Sequence, residues 1–210
     1  MKMTKEILDY LDEIIPNPKC ELNYQKDYEL LIAVMLSAQT TDKRVNMVTK
    51  ELFTKYDTLE KLSKASLKDI EKLIYQLGSY TKKSRAVIEI ATKLLENNSK
   101  VPNDRTFLES LPMVGRKTTS VVLSELFNEP NIAVDTHVER TAKRLKLAPQ
   151  KATVLEVEKA LKKKFPKDEW CKLHLQLVHF GRYYCTAKNP KCENCKLKNN
   201  CTYYKKKVSN

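Results

Sequence analysis

The chain has 210 residues and 41% hydrophobic content, enough to bury one large core or two small ones. No apolar run approaches the ~20 residues of a membrane span, and the opening MKMTKEILDYLDEII lacks a signal peptide's apolar centre, so a cytoplasmic protein without a membrane partner is predicted. The net charge of +13, from 39 basic and 26 acidic residues, fits either a lysine-rich solvated surface or a polyanionic partner, and does not separate DNA from RNA or anionic lipid.

Helical periodicity runs through the chain in order. Ile7, Leu8, Leu11, Ile14 and Ile15 share a face that Pro16 ends. Leu30, Leu31, Val34, Met35 and Ala38 predict a buried second helix, and Thr41 or Asp42 caps a third through Val45, Val48, Leu52 and Phe53. Ser66 to Asp69 resembles a capping box ahead of Ile70, Leu73, Ile74 and Leu77, with Gly78 as the expected stop. Residues 82–96 form the next helix, closed by Asn97 and Asn98; residues 104–111 form a short one, and residues 116–127 follow a Pro112 to Gly115 break. A helix enters at about Asp135, and residues 153–165 and 168–180 form the last long helices before an irregular tail after Gly181. No segment alternates as a strand, no repeat is visible, and three glycines in the whole chain suit helices with short connections. The expected class is all-α.

The tail carries CTAKNPKCENCKLKNNC, in which Cys185, Cys192, Cys195 and Cys201 stand as C-x6-C-x2-C-x5-C. In a cytosolic chain such a group suits a metal centre better than disulfides. Structural zinc prefers two close ligand pairs, and only Cys192 and Cys195 form one. The spacing therefore favours an iron–sulfur cluster, with zinc and reduced thiols left open. Cys20 and Cys171 stand apart and read as small buried hydrophobes. Lys188, Lys191, Lys196 and Lys198 interleave with the tail cysteines, which suggests a metal-stapled grip on phosphates.

LPMVGRKT, from Leu111 to Thr118, sits between two predicted helices. The second helix would present free backbone N–H groups and a positive dipole end, and Gly115 would let a phosphate approach closely. Such a clamp reads no bases. The same stretch also fits an ordinary corner between helices.

Taken with LLIAVMLSAQTTD (Leu30 to Asp42), IAVDTHVER (Ile132 to Arg140), HFGRYYC (His179 to Cys185) and the cysteine tail, this stretch makes the chain resemble the endonuclease III-type DNA glycosylases of the helix–hairpin–helix superfamily, almost end to end. The resemblance implies two helical lobes. Residues 21–129 would form a six-helix barrel with the helix–hairpin–helix at about residues 107–127. Residues 1–20 and 130–210 would form a lobe around a [4Fe-4S] cluster in the loop 185–201. Bent duplex DNA would lie between the lobes with a nucleotide flipped out. The implied activity is removal of oxidised pyrimidines followed by strand cleavage at the abasic site. A monomer is the default expectation, no sequence feature arguing for more, in the bacterial cytoplasm and associated with the nucleoid.

By the same resemblance, Lys117 is the nucleophile and Asp135 assists it. A lysine attacks only as its neutral amine, a form favoured by a helix N-terminus, partial burial and neighbouring cations. Asp135 alone reads as a helix N-cap, and a capping carboxylate held rigidly suits both roles. Gln39 matches a residue that fills the gap left by the flipped base. Leu111, Val114, Gly115 and Arg116 belong to the phosphate clamp, together with Lys188 and Lys191. His137 is a weaker candidate, and His174 and His179 read as packing residues.

Two positions depart from the family pattern. Met113 stands where glycine is usual, so either it accepts a left-handed backbone, at about 1 kcal/mol, or the turn changes type. Ser79 stands where a bulky apolar wedge is usual; either Tyr80 substitutes for it or flipping leans more on Gln39. A sister glycosylase for mismatched adenine or thymine is a competing reading, disfavoured by Lys117 and by the short stretch beyond Cys201. A non-catalytic, zinc-stapled DNA-binding module is another.

Overall fold

The computed structural model describes residues 2–209, and every regular element among them is helical. The chain divides into two compact units, one of Met1–Lys19 with Asn128–Asn210 and the other of Cys20–Phe127. Helix α1 (Lys2–Ile14) opens the first unit. No helix among the described residues is long and apolar enough to cross a membrane.

The Cys20–Phe127 unit is built around α2 (Asp27–Leu36), whose residues from Tyr28 to Leu36 are all buried. A helix that is apolar nearly all round has to sit at a core. Its neighbours are α3 (Asp42–Lys55), α6 (Tyr80–Glu96) and α8 (Arg116–Phe127), while α4 (Leu59–Ser63) and α5 (Leu67–Ile74) pack on α6 and α7 (Arg105–Ser110) packs on α8. The one-turn α4 is absent from the sequence reading, because five residues are too few to show a helical period.

Local capping differs from expectation at two places. Ser66 occupies the N-cap of α5, but its side chain makes no cap hydrogen bond. Asp69, the expected box partner, instead accepts from Lys55 Nζ and from the Tyr56 hydroxyl, each at 3.3 Å. Gly78 is not a left-handed stop either: α5 ends at Ile74, and no glycine in the described chain has positive φ. Left-handed backbone falls on eight other residues, Gln39, Ser79, Asn98, Ser99, Met113, Asn128, Lys146 and Asn189. A chain with three glycines has few to spare for such corners.

The second core joins α1 to α9 (Thr136–Arg144), α10 (Val154–Lys164) and α11 (Trp170–His179). Thr153 and Glu156 form a reciprocal capping box at the start of α10. Gln176 donates to Asp12 Oδ1 at 2.7 Å and to the Ile15 carbonyl at 3.1 Å, fastening the end of α1 to α11. The expected helix over residues 168–180 is divided into a 3-10 turn at Lys167–Glu169, α11, and a single π-helical turn at Phe180–Tyr184. The tail is not irregular throughout, since α12 (Thr202–Ser209) follows Cys201. Tyr203 and Tyr204 of α12 pack on the core, an anchorage that a lysine-rich run does not reveal.

Candidate active site and cysteine cavity

The turn between α7 and α8 is set by its sequence. Asp104 caps α7 by accepting from the Thr106 and Phe107 amides at 2.8 and 3.1 Å. The Val114 amide then donates to the Leu111 carbonyl at 3.2 Å, closing a four-residue turn with Pro112 second and Met113 third. Met113 has φ of 60°, the left-handed value a type II turn requires at that place. Methionine therefore carries the strain expected from the sequence, about 1 kcal/mol, with the turn type kept. Leu111 and Val114 are only 3% and 4% exposed and pin the turn into the core. Their side chains are closed to a ligand, so only their main chain can belong to a phosphate clamp.

Gly115, Arg116 and Lys117 are exposed at the start of α8. A Cβ placed on Gly115 would meet nothing within 4 Å, so the space beside that backbone is open. The first amides of α8 have no intrahelical acceptor; the Thr119 amide is already inside the ladder, donating to the Gly115 carbonyl at 3.0 Å. Among the described residues no hydrogen bond or ion pair engages the Lys117 ammonium. The arrangement is an anion-receptive helix start with an accessible amine on its first turn.

Two further corners of the same unit present candidate contacts. Gln39 is exposed with φ of 57°, just past the end of α2, and Ser79 is exposed with φ of 58°, at the N-cap of α6. Tyr80 follows, 41% exposed.

Asp135 lies in the other unit, at the N-cap of α9. Its Oδ1 accepts from the His137 and Val138 amides, both at 2.8 Å, which fixes the carboxylate. Among the described residues no hydrogen bond engages its Oδ2. His137 Nδ1 lies 3.3 Å from Arg140 Nη2. His174 is buried in α11, and the His179 ring packs edge-on against Tyr183.

The four tail cysteines line one cavity of about 370 Å³, shared with Tyr10, Phe180 and Tyr184. None of the six cysteines is disulfide-bonded. Among the described residues no three Cys, His, Asp or Glu side chains converge as around a single metal ion. The four thiols border one common space. Burial pushes the Cys192 and Cys195 thiols above the ordinary value, a tendency that a bound cation would reverse. Lys188 and Lys191 are both exposed on this segment, and the Lys191 ammonium lies 5.3 Å from the Tyr184 ring centroid. Cys20 and Cys171 are half-buried, and neither lines the cavity.

Several functional-looking groups escape sequence reasoning. The π-helical turn ends with the Cys185 amide donating to the Phe180 carbonyl at 2.7 Å, which delivers Cys185 to the cavity. Arg140 and Arg144, one turn apart on α9, hold that delivery. Arg140 donates to the Gly181 and Cys185 carbonyls at 2.6 and 3.1 Å. Arg144 reaches Cys185 Sγ at 3.3 Å and the Thr186 carbonyl at 2.8 Å, stacked 3.9 Å over the Tyr203 ring. Their spacing of four residues was the only signal, and it fits equally a solvated helix face.

Comparison with known proteins identifies the family. Residues 32–167 match the profile of the HhH-GPD superfamily base excision DNA repair proteins. The endonuclease III of Bacillus subtilis strain 168 is 43% identical over 202 residues, covering 96% of this chain and 92% of the relative. That of Escherichia coli K12 is 42% identical over 202 residues, covering 96% and 95%. A non-covalent endonuclease III–DNA complex superposes with a TM-score of 0.95 at 44% identity, covering 100% of this chain and 98% of that one. A trapped endonuclease III–DNA covalent intermediate superposes with a TM-score of 0.94 at 44% identity, covering 99% and 98%. The chain belongs to the endonuclease III family, within the HhH-GPD superfamily of base excision DNA repair proteins.

Proposed function

We propose that this chain is a base excision repair enzyme, a DNA N-glycosylase with associated AP lyase activity, acting on duplex DNA that contains oxidised pyrimidines or abasic sites. The observation that carries the proposal is an exposed Lys117 on the first turn of α8, directly after the hairpin turn, in a chain 44% identical to an endonuclease III trapped covalently on DNA.

In this reading a DNA strand is held by phosphate contacts to the first amides of α8 around Gly115 and Arg116. The neutral Lys117 amine attacks C1′ of the flipped nucleotide. An N–C1′ bond forms as the C1′–base bond breaks, and the base leaves with the bonding electrons and a proton. A proton passes from the amine to the ring oxygen O4′ as the C1′–O4′ bond breaks, leaving a protonated imine at C1′ and a free O4′ hydroxyl. That imine acidifies the C2′ hydrogen; its removal expels the 3′ phosphate by β-elimination, and water then frees the lysine. Asp135, held through Oδ1, offers Oδ2 to take the amine proton or to face positive charge on the sugar. Gln39, Ser79 and Tyr80 meet the opened duplex, and Lys188 and Lys191 bind phosphates. The enzyme acts as a monomer on the bacterial nucleoid in the cytoplasm.

Cys185, Cys192, Cys195 and Cys201 would hold a [4Fe-4S] cluster, for which four thiols bordering one cavity are a fitting donor set. When bound, the cluster supplies a covalent staple that folds a segment without an apolar core of its own.

The test of catalysis is borohydride trapping on an abasic-site duplex. Wild type is expected to give a covalent adduct and Lys117→Ala none, with DNA binding retained and weakened by salt. An adduct that persists in Lys117→Ala reassigns the nucleophile. The cluster has its own measurement: broad visible absorption with iron and sulfide, against a colourless protein with stoichiometric zinc.

A further inference from the structure

Lys83 is among the largest fully buried side chains of the described residues, at 1% exposure. Ammonium groups are rarely buried so deeply unless paired with a carboxylate. Here the acceptors are the Leu36 and Ala38 carbonyls, both at 2.9 Å, and the Thr40 hydroxyl at 3.4 Å. Burial pulls the proton affinity of this lysine below the ordinary value.

The location of those acceptors is informative. Leu36 ends α2, and its carbonyl is one of those a helix C-terminus leaves without an internal partner. Ala38 and Thr40 flank Gln39, the exposed left-handed residue. Lys83 therefore holds the chain on both sides of Gln39. Its own backbone is committed elsewhere: the Lys83 amide donates to the Ser79 carbonyl at 3.0 Å, closing the first turn of α6 behind Ser79 and Tyr80. One residue thus joins two exposed corners, each with a non-glycine residue in left-handed backbone. Strained residues of this kind persist only where their surroundings hold them, and they concentrate at ligand-contacting sites.

We propose that Lys83 is a positioning residue, whose ammonium locks the Gln39 turn to the Ser79–Tyr80 corner so that both meet damaged DNA as one preset surface. This rests on the DNA repair reading above. Lys83 itself touches no DNA. A helix cap with no further role would lower stability without altering how the protein distinguishes an opened site from intact duplex. A positioning role alters that distinction, and does so only through Gln39.

The experiment is a double-mutant cycle in binding, made in the Lys117→Ala background so that no chemistry intervenes. The probe is a duplex with a tetrahydrofuran abasic analogue, compared with the undamaged duplex of the same sequence. Lys83→Met keeps the bulk of the stem and removes the donors. It is expected to reduce the preference for the analogue about tenfold, with Gln39→Ala doing the same and the double variant within about threefold of Gln39→Ala alone. An unchanged preference in Lys83→Met, or effects that multiply in the double variant, overturns the proposal. If Lys83→Met does not fold, Thr40→Val removes one acceptor of the same lock and is expected to give a smaller loss, again absent once Gln39 is alanine. Failure of wild type to form a borohydride adduct would sink the catalytic reading instead, and leaves the outcome of the binding cycle intact.

Discussion

Gly181→Ala is expected to be the most damaging small substitution outside the catalytic groups. Gly181 lies in the π-helical turn, and a Cβ placed on it would fall 2.7 Å from His137 Cβ and 3.1 Å from both the Cα and the carbonyl oxygen of His137. Ordinary carbon–carbon contact begins near ~3.5 Å, so the shortest approach is about 0.8 Å too close. The obstacle includes α9 backbone, which cannot rotate away as a flexible side chain would. Either α9 or the π-helical turn must move, and the 2.6 Å bond from Arg140 to the Gly181 carbonyl is stretched. Overpacking of this kind costs about 2–3 kcal/mol, which corresponds to a fall of about 5–10 °C in melting temperature for a chain of this size. Because His137 is also an amide donor to Asp135, the movement reaches the candidate carboxylate, so adduct formation should fall along with stability. Gly78→Ala is the matched control: a Cβ there meets nothing within 4 Å and φ is not positive, so the same added methyl should leave the melt unchanged or slightly raised. Thermal unfolding followed by circular dichroism decides. A Gly181→Ala melt within 1 °C of wild type would refute the steric argument.

Gly115→Ala should melt like wild type, since its Cβ also finds open space, yet bind duplex about tenfold more weakly if a phosphate approaches that backbone; fluorescence anisotropy checks this. Met113→Gly exchanges about 1 kcal/mol of left-handed strain for a similar loss of chain entropy and should leave the melt nearly unmoved, whereas Met113→Val, β-branched at the same φ, should lower it. Asp12 accepts from Lys172 Nζ at 2.6 Å and from Gln176 Nε2 at 2.7 Å; chiefly the Lys172 hydrogen bond holds its carboxyl below the usual range. A depressed carboxylate stabilises the fold above the unfolded value of about 3.9 and loses that contribution as pH falls through the folded one. Asp12→Asn should therefore cost about 0.5–1 kcal/mol near neutrality, kept small because both side chains are partly solvated, and nothing once wild-type Asp12 is protonated; urea melts at neutral and acid pH compare the two.

Local chemistry was enough for much of this protein. Apolar spacing marked the long helices, Asp104 and Asp135 announced the starts of α7 and α9, and the Pro112–Gly115 break bounded the hairpin, because helix periodicity, side-chain caps and proline act within a few residues of themselves. Met113 was readable only in part: the sequence left a left-handed residue or a changed turn type, and the fold took the first. The sequence also supplied the candidate amine, the candidate carboxylate and the four thiols, because their spacing resembles that of a known family. Tertiary structure decided what depends on partners far along the chain. Asp69 left its expected cap for Lys55 and Tyr56, and α12 formed because two tyrosines found the core. Gly181 matters through its distance to His137, 44 positions earlier in the chain. Lys83 looked like one more lysine of a basic surface until the fold put its ammonium among the carbonyls of Leu36, the last residue of α2, and Ala38 just beyond it, 47 and 45 residues away. Burial and close approach are properties of the folded arrangement, and no local pattern of residue types encodes them.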